Sequence, residues 1–492
     1  MLEQAKTFSN TAIYVISRTG GENMGEIPTN QTVVTQNGTT TDNSRTYLDT
    51  TQNEEEVLTL LKENFENVIL IVNTANTMHL SFLEKNVVDA CMFVGLTGQS
   101  STMSIPELLW GYKKDDEGNK VLLSPSGKTS DLYSYEPDTT PTYVNRIKGG
   151  SHIQYVEDIY YGYKWYETAD AEGYFNSVDN EYGKGYDGVV QFPFGFGLSY
   201  TEFEWNISRL SIPEGGSITK YSSIEVEVEV TNVGEYPGKD VVELYVTPPY
   251  YEGGIEKAHV NLMAFAKTTE LKPGETQYVT LKFNAYDMAS YDCYDKNGNG
   301  NSRYELEEGD YQIKLMTDSH NIKKNKDGND NVINYKVNEG GIKYNLDPKT
   351  KQIVRNRMTG ETAYSGVPID GSTVGAETDY LSRKNNFANV PTAHAKTPSN
   401  GTEVNKAANY FNNIYDSMPM PTTNVDSNLR LVTLEDGSNP TLNDLNGSSN
   451  NTLKINEELF ADLSKYSSPT WDKLLDQMSV EELTNIVENG GF

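Results

Sequence analysis

Cysteine is almost absent from this 492-residue sequence, which contains only Cys91 and Cys293. Two residues so far apart in the chain do not make a disulfide framework, and they lack the CxxC spacing of a metal site. The five histidines are scattered and do not pair at metal-ligand spacing. The counts therefore give no sign of a bound metal. Cys91 lies in the apolar segment VVDACMFVG, which predicts a buried core position.

Basic residues are also scarce, with 40 Lys and Arg against 70 Asp and Glu, a formal net charge of −30. This balance argues against nucleic acid and anionic membranes as partners, because both need clustered positive charge. A neutral substrate is compatible with it, and so is simple solubility. The sequence lacks the run of about 18 apolar residues that a membrane helix needs. Its start, MLEQAKTFSNTAIYV, does not resemble a secretory leader, which favours a cytoplasmic location.

Residues 1–135 alternate strand and helix signals. Nearly continuous apolar segments separated by amphipathic ones predict a parallel sheet covered on both faces. Ligands of such sheets bind beyond the carboxyl ends of the strands. The segments are TAIYVISR (11–18), NEEEVLTLLKENF (53–65), NVILIVNT (67–74), ACMFVGLTG (90–98) and SIPELLWGY (104–112).

The next two segments differ in composition. Residues 136–205 are rich in Tyr, Gly and Asp, which predicts an ordered loop region packed on a neighbour, with a sugar-binding platform as the alternative. In residues 206–320, the stretch SSIEVEVEVTNVG alternates strictly between apolar and acidic residues, as a half-buried antiparallel strand does. Several further short strands, separated by KPGE and EEGD turns, predict a β-sandwich of about 100 residues.

The last part of the chain is polar and then turns helical. Residues 321–465 are rich in Asn, Asp, Thr and Ser and are interpreted as a connecting segment, partly ordered at YLSRKNNF (380–387). In residues 466–492, Ser479 and Glu482 form a capping-box pattern, and Gly490 marks a helix end. We expect this segment to open a further domain that the chain does not complete.

One acidic residue stands out in the stretch VISRTGGENMGE (15–26). Glu22 follows Gly20 and Gly21 directly after the first predicted strand. Glycine removes the Cβ that would keep a loop away from a ligand, and a partly desolvated carboxyl can keep a proton for general acid catalysis. The alternative is a solvated loop glutamate.

Two other motifs were weighed against known loops. DKNGNGNSRYEL (295–306) matches the first half of a calcium loop, but Leu306 occupies the position where glutamate is needed and Glu305 comes one residue early. An Asn-Gly-rich hairpin loop is therefore favoured. SPSGKTSD (124–131) is no phosphate loop, since Leu122 stands where the first glycine belongs.

The order of motifs along residues 1–320 resembles the C-terminal half of glycoside hydrolase family 3, which includes many β-glucosidases and β-xylosidases. The motifs are ISRTGGEN, SPSGK, YVEDIYYGYKWYE, FPFGFGLSYTEFEW, LKPGETQYVTLKF and YELEEGDYQIKL. Phe196 departs from the histidine common in the family's FGHG motif, and SSTMSIPELLWG departs from its Glu-Gly-Gly helix start.

The resemblance implies a fold class of α/β plus all-β and a domain division. Residues 1–205 would form the α/β sandwich domain, incomplete at its N-terminus, and residues 206–321 a fibronectin type III-like domain. Residues 322–465 would be a linker. Residues 466–492 resemble the start of the family's TIM-like barrel domain, so the domain order is reversed relative to the common one.

The resemblance also implies a role for Glu22. In members with a Ser-Gly-Glu-Gly type loop that glutamate is the acid/base, and TGGEN is the matching stretch. The nucleophilic aspartate of the family belongs to the barrel, which residues 1–465 do not resemble. The chain would thus carry one half of the site, be inactive alone, and need the barrel in the same or another polypeptide.

The implied activity is retaining hydrolysis of terminal β-D-glucose from β-glucosides, without a metal or an organic cofactor. The substrate would be a β-linked oligosaccharide or glycoside. β-Xylosidase and β-N-acetylglucosaminidase remain as alternatives among enzymes. A non-catalytic carbohydrate-binding or scaffolding module is the alternative from another class.

Overall fold

The computed structural model describes most of the first 348 residues and short parts of the rest. The described residues fall into two compact units, Met1–Lys406 and Ala407–Phe492. They are residues 2–20, 28–35, 38–98, 101–145, 157–348, 351–354, 356, 380–391, 429–438, 440, 444, 449–465 and 467–475.

The first domain is built around a three-stranded parallel sheet in the order β1-β4-β5. Helix α2 packs Leu58 against Ile16, Val68 and Leu70, all of them buried. Its N-terminus is closed by a capping box between Thr51 and Glu54, which satisfies backbone N–H groups that have no partner within the helix. The elements are α1 (Leu2–Phe8), β1 (Thr11–Arg18), β2 (Gln31–Thr35), β3 (Gly38–Asp42), α2 (Gln52–Asn64), β4 (Asn67–Thr74) and β5 (Ala90–Phe93).

The prediction that both faces of this sheet are covered is wrong for its edge strands. On β1, Ile16 and Arg18 are buried, whereas Ile13 and Val15 are about half exposed. Cys91 on β5 is exposed, so the predicted core position of this residue is also wrong. The reason is topological: β1 and β5 are the two edges of the sheet, where an apolar sequence does not guarantee a neighbour on each side.

The rest of the first domain consists of short elements around an aromatic core. Tyr160, Trp165, Phe175 and Tyr186 are buried together, as expected for aromatic residues in an ordered, packed region. The predicted short helix near residue 104 is confirmed as α3. The elements are α3 (Ser104–Trp110), β6 (Tyr112–Lys114), β7 (Lys120–Leu122), β8 (Tyr133–Ser134), α4 (Pro141–Asn145), α5 (Tyr163–Ala171) and β9 (Val190–Phe192). Short 3₁₀ helices occupy Ser81–Lys85, Ser101–Met103, Pro137–Thr139 and Gly185–Gly188, and a further one, Ala285–Met288, lies in the second domain.

The second domain is the predicted β-sandwich. Its sheets have the orders β10-β11-β14 and β13-β12-β17-β18, and a small sheet β15-β16-β19 joins them. The apolar face of β11, from Ile224 to Val230, is fully buried, which confirms the prediction from its alternating sequence. The strands are β10 (Phe203–Leu210), β11 (Ser223–Asn232), β12 (Val241–Thr247), β13 (Asn261–Lys267), β14 (Thr276–Asn284), β15 (Ser290–Tyr291), β16 (Tyr304–Leu306), β17 (Gly309–Met316), β18 (Val332–Val337) and β19 (Ile342–Tyr344).

The sandwich continues past residue 321, into the segment assigned to the linker. Strand β18 pairs with β17, and β19 pairs with β16. The short alternating strand INYKV follows directly after the Asn- and Asp-rich turn at 325–331. The polar composition of that turn therefore placed the predicted end of the sandwich domain too early. Further along, Leu381 and Phe387 are buried in the aromatic core of the first domain.

The described part of the second unit contains four short elements. Asn456 caps the first helix by accepting the N–H of Leu459. The capping box predicted at Ser479 lies outside the described residues, and the start of a barrel domain stays a prediction. The elements are β20 (Val432–Leu434), β21 (Leu453–Ile455), α6 (Glu457–Leu463) and α7 (Thr470–Leu475). No helix in the described part of the chain has both the length and the apolarity to cross a bilayer.

Candidate active site

The stretch TGGEN begins at the carboxyl end of the parallel sheet. Strand β1 ends at Arg18, and Thr19 and Gly20 follow it beside Ala75 at the end of β4. Glu22 itself belongs to residues 21–27, outside the described residues. The structure therefore shows the stem that leads to Glu22, residues 18–20.

Arg18 anchors the stem through five hydrogen bonds. Its guanidinium makes a two-pronged ion pair with Glu54, with Nη1–Oε1 and Nη2–Oε2 distances of 2.9 and 2.7 Å. The remaining bonds go to the backbone carbonyls of Ser17, Tyr47 and Asp49, at 2.9 to 3.0 Å. Arg18 is 9% exposed, so the planar fork is held rigidly in a poorly solvated place.

Glu54 is held ionised by this arrangement. Burial raises the pKa of the Glu54 carboxyl, but the Arg18 guanidinium and the Thr51 N–H outweigh burial and keep the pKa below its ordinary value. The same carboxylate accepts the Thr51 N–H at 2.8 Å in the capping box of α2. One side chain thus joins the start of α2 to the end of β1.

Tyr47 and Gly20 complete the stem. The Tyr47 hydroxyl accepts the N–H of Thr19 at 2.9 Å and donates to the Thr19 carbonyl at 3.1 Å. At Gly20, an added Cβ would lie 2.9 Å from the Cβ of Ala75 and 3.3 Å from the Asn76 amide. Glycine is needed here because the stem passes so close to the end of β4.

Behind the stem, the loop that carries Tyr47 is itself fixed. Asp49 accepts the N–H and hydroxyl of Thr46 at 2.6 and 2.8 Å and is 2.7 Å from Nδ1 of His79. Burial raises the pKa of Asp49, but the interactions with His79 and Thr46 together outweigh burial and lower the pKa overall. Sequence reasoning did not find these supporting residues. The only local signal was the Thr51-x-x-Glu54 capping pattern, which does not reveal the pairing with Arg18.

Two other motifs, SPSGK and FPFGFG, contact each other away from the stem. Thr129, the residue after SPSGK, donates its N–H to the carbonyl of Phe196 at 2.8 Å, and its carbonyl accepts the N–H of Gly195 at 2.9 Å. A Cβ on Gly197 would lie 2.1 Å from the carbonyl oxygen of Gly127. These motifs therefore serve packing.

Two buried glutamates lie where the two domains meet. Glu167 of α5 accepts hydrogen bonds from Tyr186 and Ser319 at 2.6 and 2.9 Å and lies 2.8 Å from Nδ1 of His320, just after β17. Burial raises the pKa of Glu167. Glu243 of β12 accepts the Tyr245 hydroxyl at 2.7 Å, and burial raises its pKa to about 7.

The described residues contain no group of three or more His, Cys, Asp or Glu side chains arranged as a metal site. The carboxyl edge of the sheet offers instead a charged and hydrogen-bonded stem, residues 18–20. Such a stem suits a residue that must meet a ligand bound partly by another domain.

Comparison with known proteins identifies the class of architecture. Residues 2–200 match the glycosyl hydrolase family 3 C-terminal domain, and residues 240–319 match a fibronectin type III-like domain. The first match coincides with the α/β domain, and the second lies within the β-sandwich. Residues 2–200 are therefore similar to the C-terminal domain of glycoside hydrolase family 3.

Several relatives of the chain are named as β-glucosidases. The chain is 30% identical over 335 residues to β-glucosidase A of Butyrivibrio fibrisolvens, covering 64% of this chain and 37% of that protein. It is 29% identical over 327 residues to a β-glucosidase of Ruminococcus albus, covering 66% of this chain and 29% of that protein. The chain thus spans about a third of the length of these relatives.

Solved structures agree on the fold. A β-glucosidase from Paenibacillus barengoltzii aligns with a TM-score of 0.51 and 29% identity, over 72% of this chain and 32% of that one. β-Glucosidase 3B from Thermotoga neapolitana, in complex with α-D-glucose, aligns with a TM-score of 0.50 and 24% identity, over 70% of this chain and 40% of that one. The second likeness concerns the fold alone.

Proposed function

We propose that this chain supplies the acid/base half of a retaining β-glycosidase site that removes terminal β-D-glucose from β-glucosides. Glu22 is the acid/base in this proposal. The observation that carries it is the stem: Arg18, paired with Glu54, and Gly20, packed on Ala75, lead directly into TGGEN at the ligand-binding edge of a parallel sheet. The β-glucosidase relatives support the choice of sugar.

The nucleophile in the proposal is an aspartate of a barrel domain, supplied in the same or in another polypeptide. Retaining glycosidases need two carboxyl groups about 5 to 5.5 Å apart. The aspartate attacks the anomeric carbon while the glycosidic C–O bond breaks and protonated Glu22 gives its proton to the leaving oxygen. Ionised Glu22 then takes a proton from water, and that water releases the sugar from the aspartate.

The stem contributes positioning to this chemistry. General acid catalysis requires the carboxyl within hydrogen-bond reach of the leaving oxygen, and a displacement of about 1 Å can cost about 100-fold in rate. The ion pair and the Tyr47 bonds leave the chain little freedom up to Gly20. The glycines after it let the loop approach the sugar closely.

The test compares Glu22→Gln with Glu26→Gln in the polypeptide that contains both this chain and the barrel. We expect Glu22→Gln to lower kcat/KM on alkyl β-glucosides by about 10²- to 10⁴-fold, the usual contribution of a positioned acid. Dinitrophenyl β-glucoside, whose leaving group needs no proton, should lose far less in glycosylation. Azide should restore turnover of this activated substrate with β-glucosyl azide as product.

Glu26→Gln is the matched control, since it removes the same charge from the same loop. If Glu22→Gln and Glu26→Gln lowered kcat/KM equally, Glu22 would not be the acid/base. The same conclusion would follow if Glu22→Gln lowered kcat/KM equally on the alkyl and the dinitrophenyl substrate and azide did not restore turnover. The chain assayed without a barrel domain should hydrolyse neither substrate, and activity of that chain would reject the division of the site.

A further inference from the structure

Two buried carboxylates lie on one face of the hairpin formed by β15 and β16. Ser290 pairs with Glu305, and the N–H of Asp292 continues the ladder to the carbonyl of Arg303 at 2.9 Å. Residues two apart on a strand share a face, so Asp292 and Glu305 are diagonal neighbours across the hairpin. They are only 3% and 2% exposed.

The connecting loop, residues 295–301, folds over Glu305 with its asparagine side chains. Asn297 bonds to one carboxylate oxygen of Glu305, and Asn299 and Asn301 bond to the other at 2.7 and 3.2 Å. The N–H of Gly300 donates to the carboxylate of Asp295 at 2.9 Å, which closes the loop. Gly300 has φ +75°, the left-handed region that glycine adopts without strain.

The turn has the shape that a calcium loop requires at its sixth position, where glycine permits the sharp bend. The position of Glu305 also explains why the twelfth residue counted from Asp295 is Leu306 and not the glutamate of a calcium loop. Because β16 is extended from Tyr304, alternate residues point to opposite sides, and Glu305 faces the loop whereas Leu306 is buried in the sandwich core. The acidic residue that faces the loop is therefore residue 11 of the segment instead of residue 12, because it lies on a strand and not on a helix.

Asp292 keeps one unsatisfied oxygen at this place. That carboxylate oxygen is fully buried and accepts no hydrogen bond. Backbone N–H groups of Lys296, Asn297 and Tyr294 bond to the Asp292 carboxylate, that of Tyr294 at 3.2 Å; they lower its pKa, but burial outweighs them and raises the pKa overall. Lys257 forms a buried ion pair with Glu307, and its charge also acts on Glu305. A buried carboxylate oxygen without a partner, as on Asp292, is costly unless it binds a metal.

We propose that residues 292–305 form a calcium site. Its donors are the carboxylates of Asp292 and Glu305 and the side-chain oxygens of Asn297, Asn299 and Asn301. An amide group presents nitrogen or oxygen at nearly the same place after a 180° rotation, so the three groups now directed at Glu305 can offer their oxygens to a cation beside it. With Glu305 bidentate the set reaches six oxygens, which suits Ca²⁺ better than the strict octahedron of Mg²⁺. Three of the five donor residues are asparagines. The site therefore does not count among groups of three or more His, Cys, Asp or Glu side chains, of which the described residues contain none arranged as a metal site.

The first experiment measures calcium binding to the full chain after treatment with a chelator. We expect CaCl₂ to raise the Tm and to give a saturable isotherm in calorimetry, with MgCl₂ at the same concentration having a smaller effect. Glu305→Gln should weaken calcium affinity at least tenfold. The control is Asp330→Asn in the Asn- and Asp-rich loop 325–331, where Asp330 is exposed and pairs with Lys324 at 2.9 Å, and it should bind calcium like the unchanged chain.

A second variant keeps the proposal testable if Glu305→Gln does not fold. Asn299→Asp puts a carboxylate against Glu305, so in chelator its Tm should fall below that of the unchanged chain. Calcium should reverse that loss and bind more tightly than to the unchanged chain. No calcium-dependent change of Tm, equal shifts with magnesium, or an Asn299→Asp loss that calcium does not reverse would each overturn the calcium site.

Discussion

At the residue scale, the position of the candidate acid/base depends on side chains that carry out no chemistry. Arg18 and Glu54 lock the end of β1, and Tyr47 holds both backbone polar groups of Thr19. Gly20 then passes the end of β4 at a distance that excludes any side chain. Gly20 has a packing reason of its own, which is separate from the freedom that glycine gives a loop near a ligand.

Gly20→Ala should therefore destabilise the chain. The new Cβ would lie 2.9 Å from that of Ala75, an overpacking that costs about 1–3 kcal/mol in the free energy of unfolding. Urea unfolding of the full chain measures it. Gly127→Ala is the control because nothing lies within 4 Å of its added Cβ. Adding Ala75→Gly to Gly20→Ala should recover part of the loss, and a Gly20→Ala loss no larger than the control's would contradict the close approach.

At the scale of elements, alternation identifies a half-buried strand clearly where it is long and is easily obscured by a polar neighbourhood where it is short. Strand β11 alternates over ten residues, and its apolar face is buried as predicted. Strand β18 alternates over six residues behind a polar turn, and yet Ile333, Tyr335 and Val337 belong to the sandwich core. Its place is decided by pairing with β17, a contact that local composition does not encode.

Ile333→Ala tests whether β18 is part of the sandwich. Ile333 is 1% exposed, and truncating a buried isoleucine to alanine costs about 2–5 kcal/mol. Lys336→Ala on the same strand, with its side chain in solvent, should stay within about 0.5 kcal/mol of the unchanged chain. Chemical unfolding followed by circular dichroism compares the two. If β18 were a solvated linker, both variants would unfold like the unchanged chain.

At the scale of the whole molecule, the FPFGFG motif helps to join the α/β domain to the β-sandwich. The FPFGFG loop packs on SPSGK, and Gly195 lies against the buried carboxylate of Glu243, where an added Cβ would come within 2.5 Å. Glu167 of α5 ties Tyr186 to His320 across the same interface. Because these ionisable groups are buried where the two domains meet, the free energy of unfolding of the chain should depend on pH.

Glu243 predicts the direction of that dependence. Its folded pKa of about 7 lies above the value of about 4.3 for an unfolded glutamate, so the folded chain holds the extra proton between these values. Stability should thus fall as pH rises from about 4.3 to 7 and then level off, with a contribution of up to about 1.4 kcal/mol per pH unit. Glu243→Gln should remove this contribution from unfolding free energies measured across pH 5–8.

The matched control for that series is Glu270→Gln, which removes an exposed carboxylate of the same domain. Its pH profile should follow the unchanged chain. A Glu243→Gln profile parallel to that of the unchanged chain would mean that Glu243 is already ionised throughout the range, contrary to the effect of its burial.

The sequence by itself determined the local elements, the division into an α/β part and a β-sandwich, and the choice of Glu22 as the candidate acid/base. The elements follow from periods of 3.6 and 2 residues, which neighbouring residues encode, and the choice of Glu22 follows from the resemblance of TGGEN to the family's acid/base loop. Only the tertiary structure decided that Arg18 pairs with Glu54, that β1 and β5 are half-exposed edges, that β18 closes the sandwich, and that Asp292 and Glu305 share a face. Each of these joins segments that are distant in the chain or depends on an element's place in its sheet, and such pairings are selected by packing and by the need to satisfy buried polar groups.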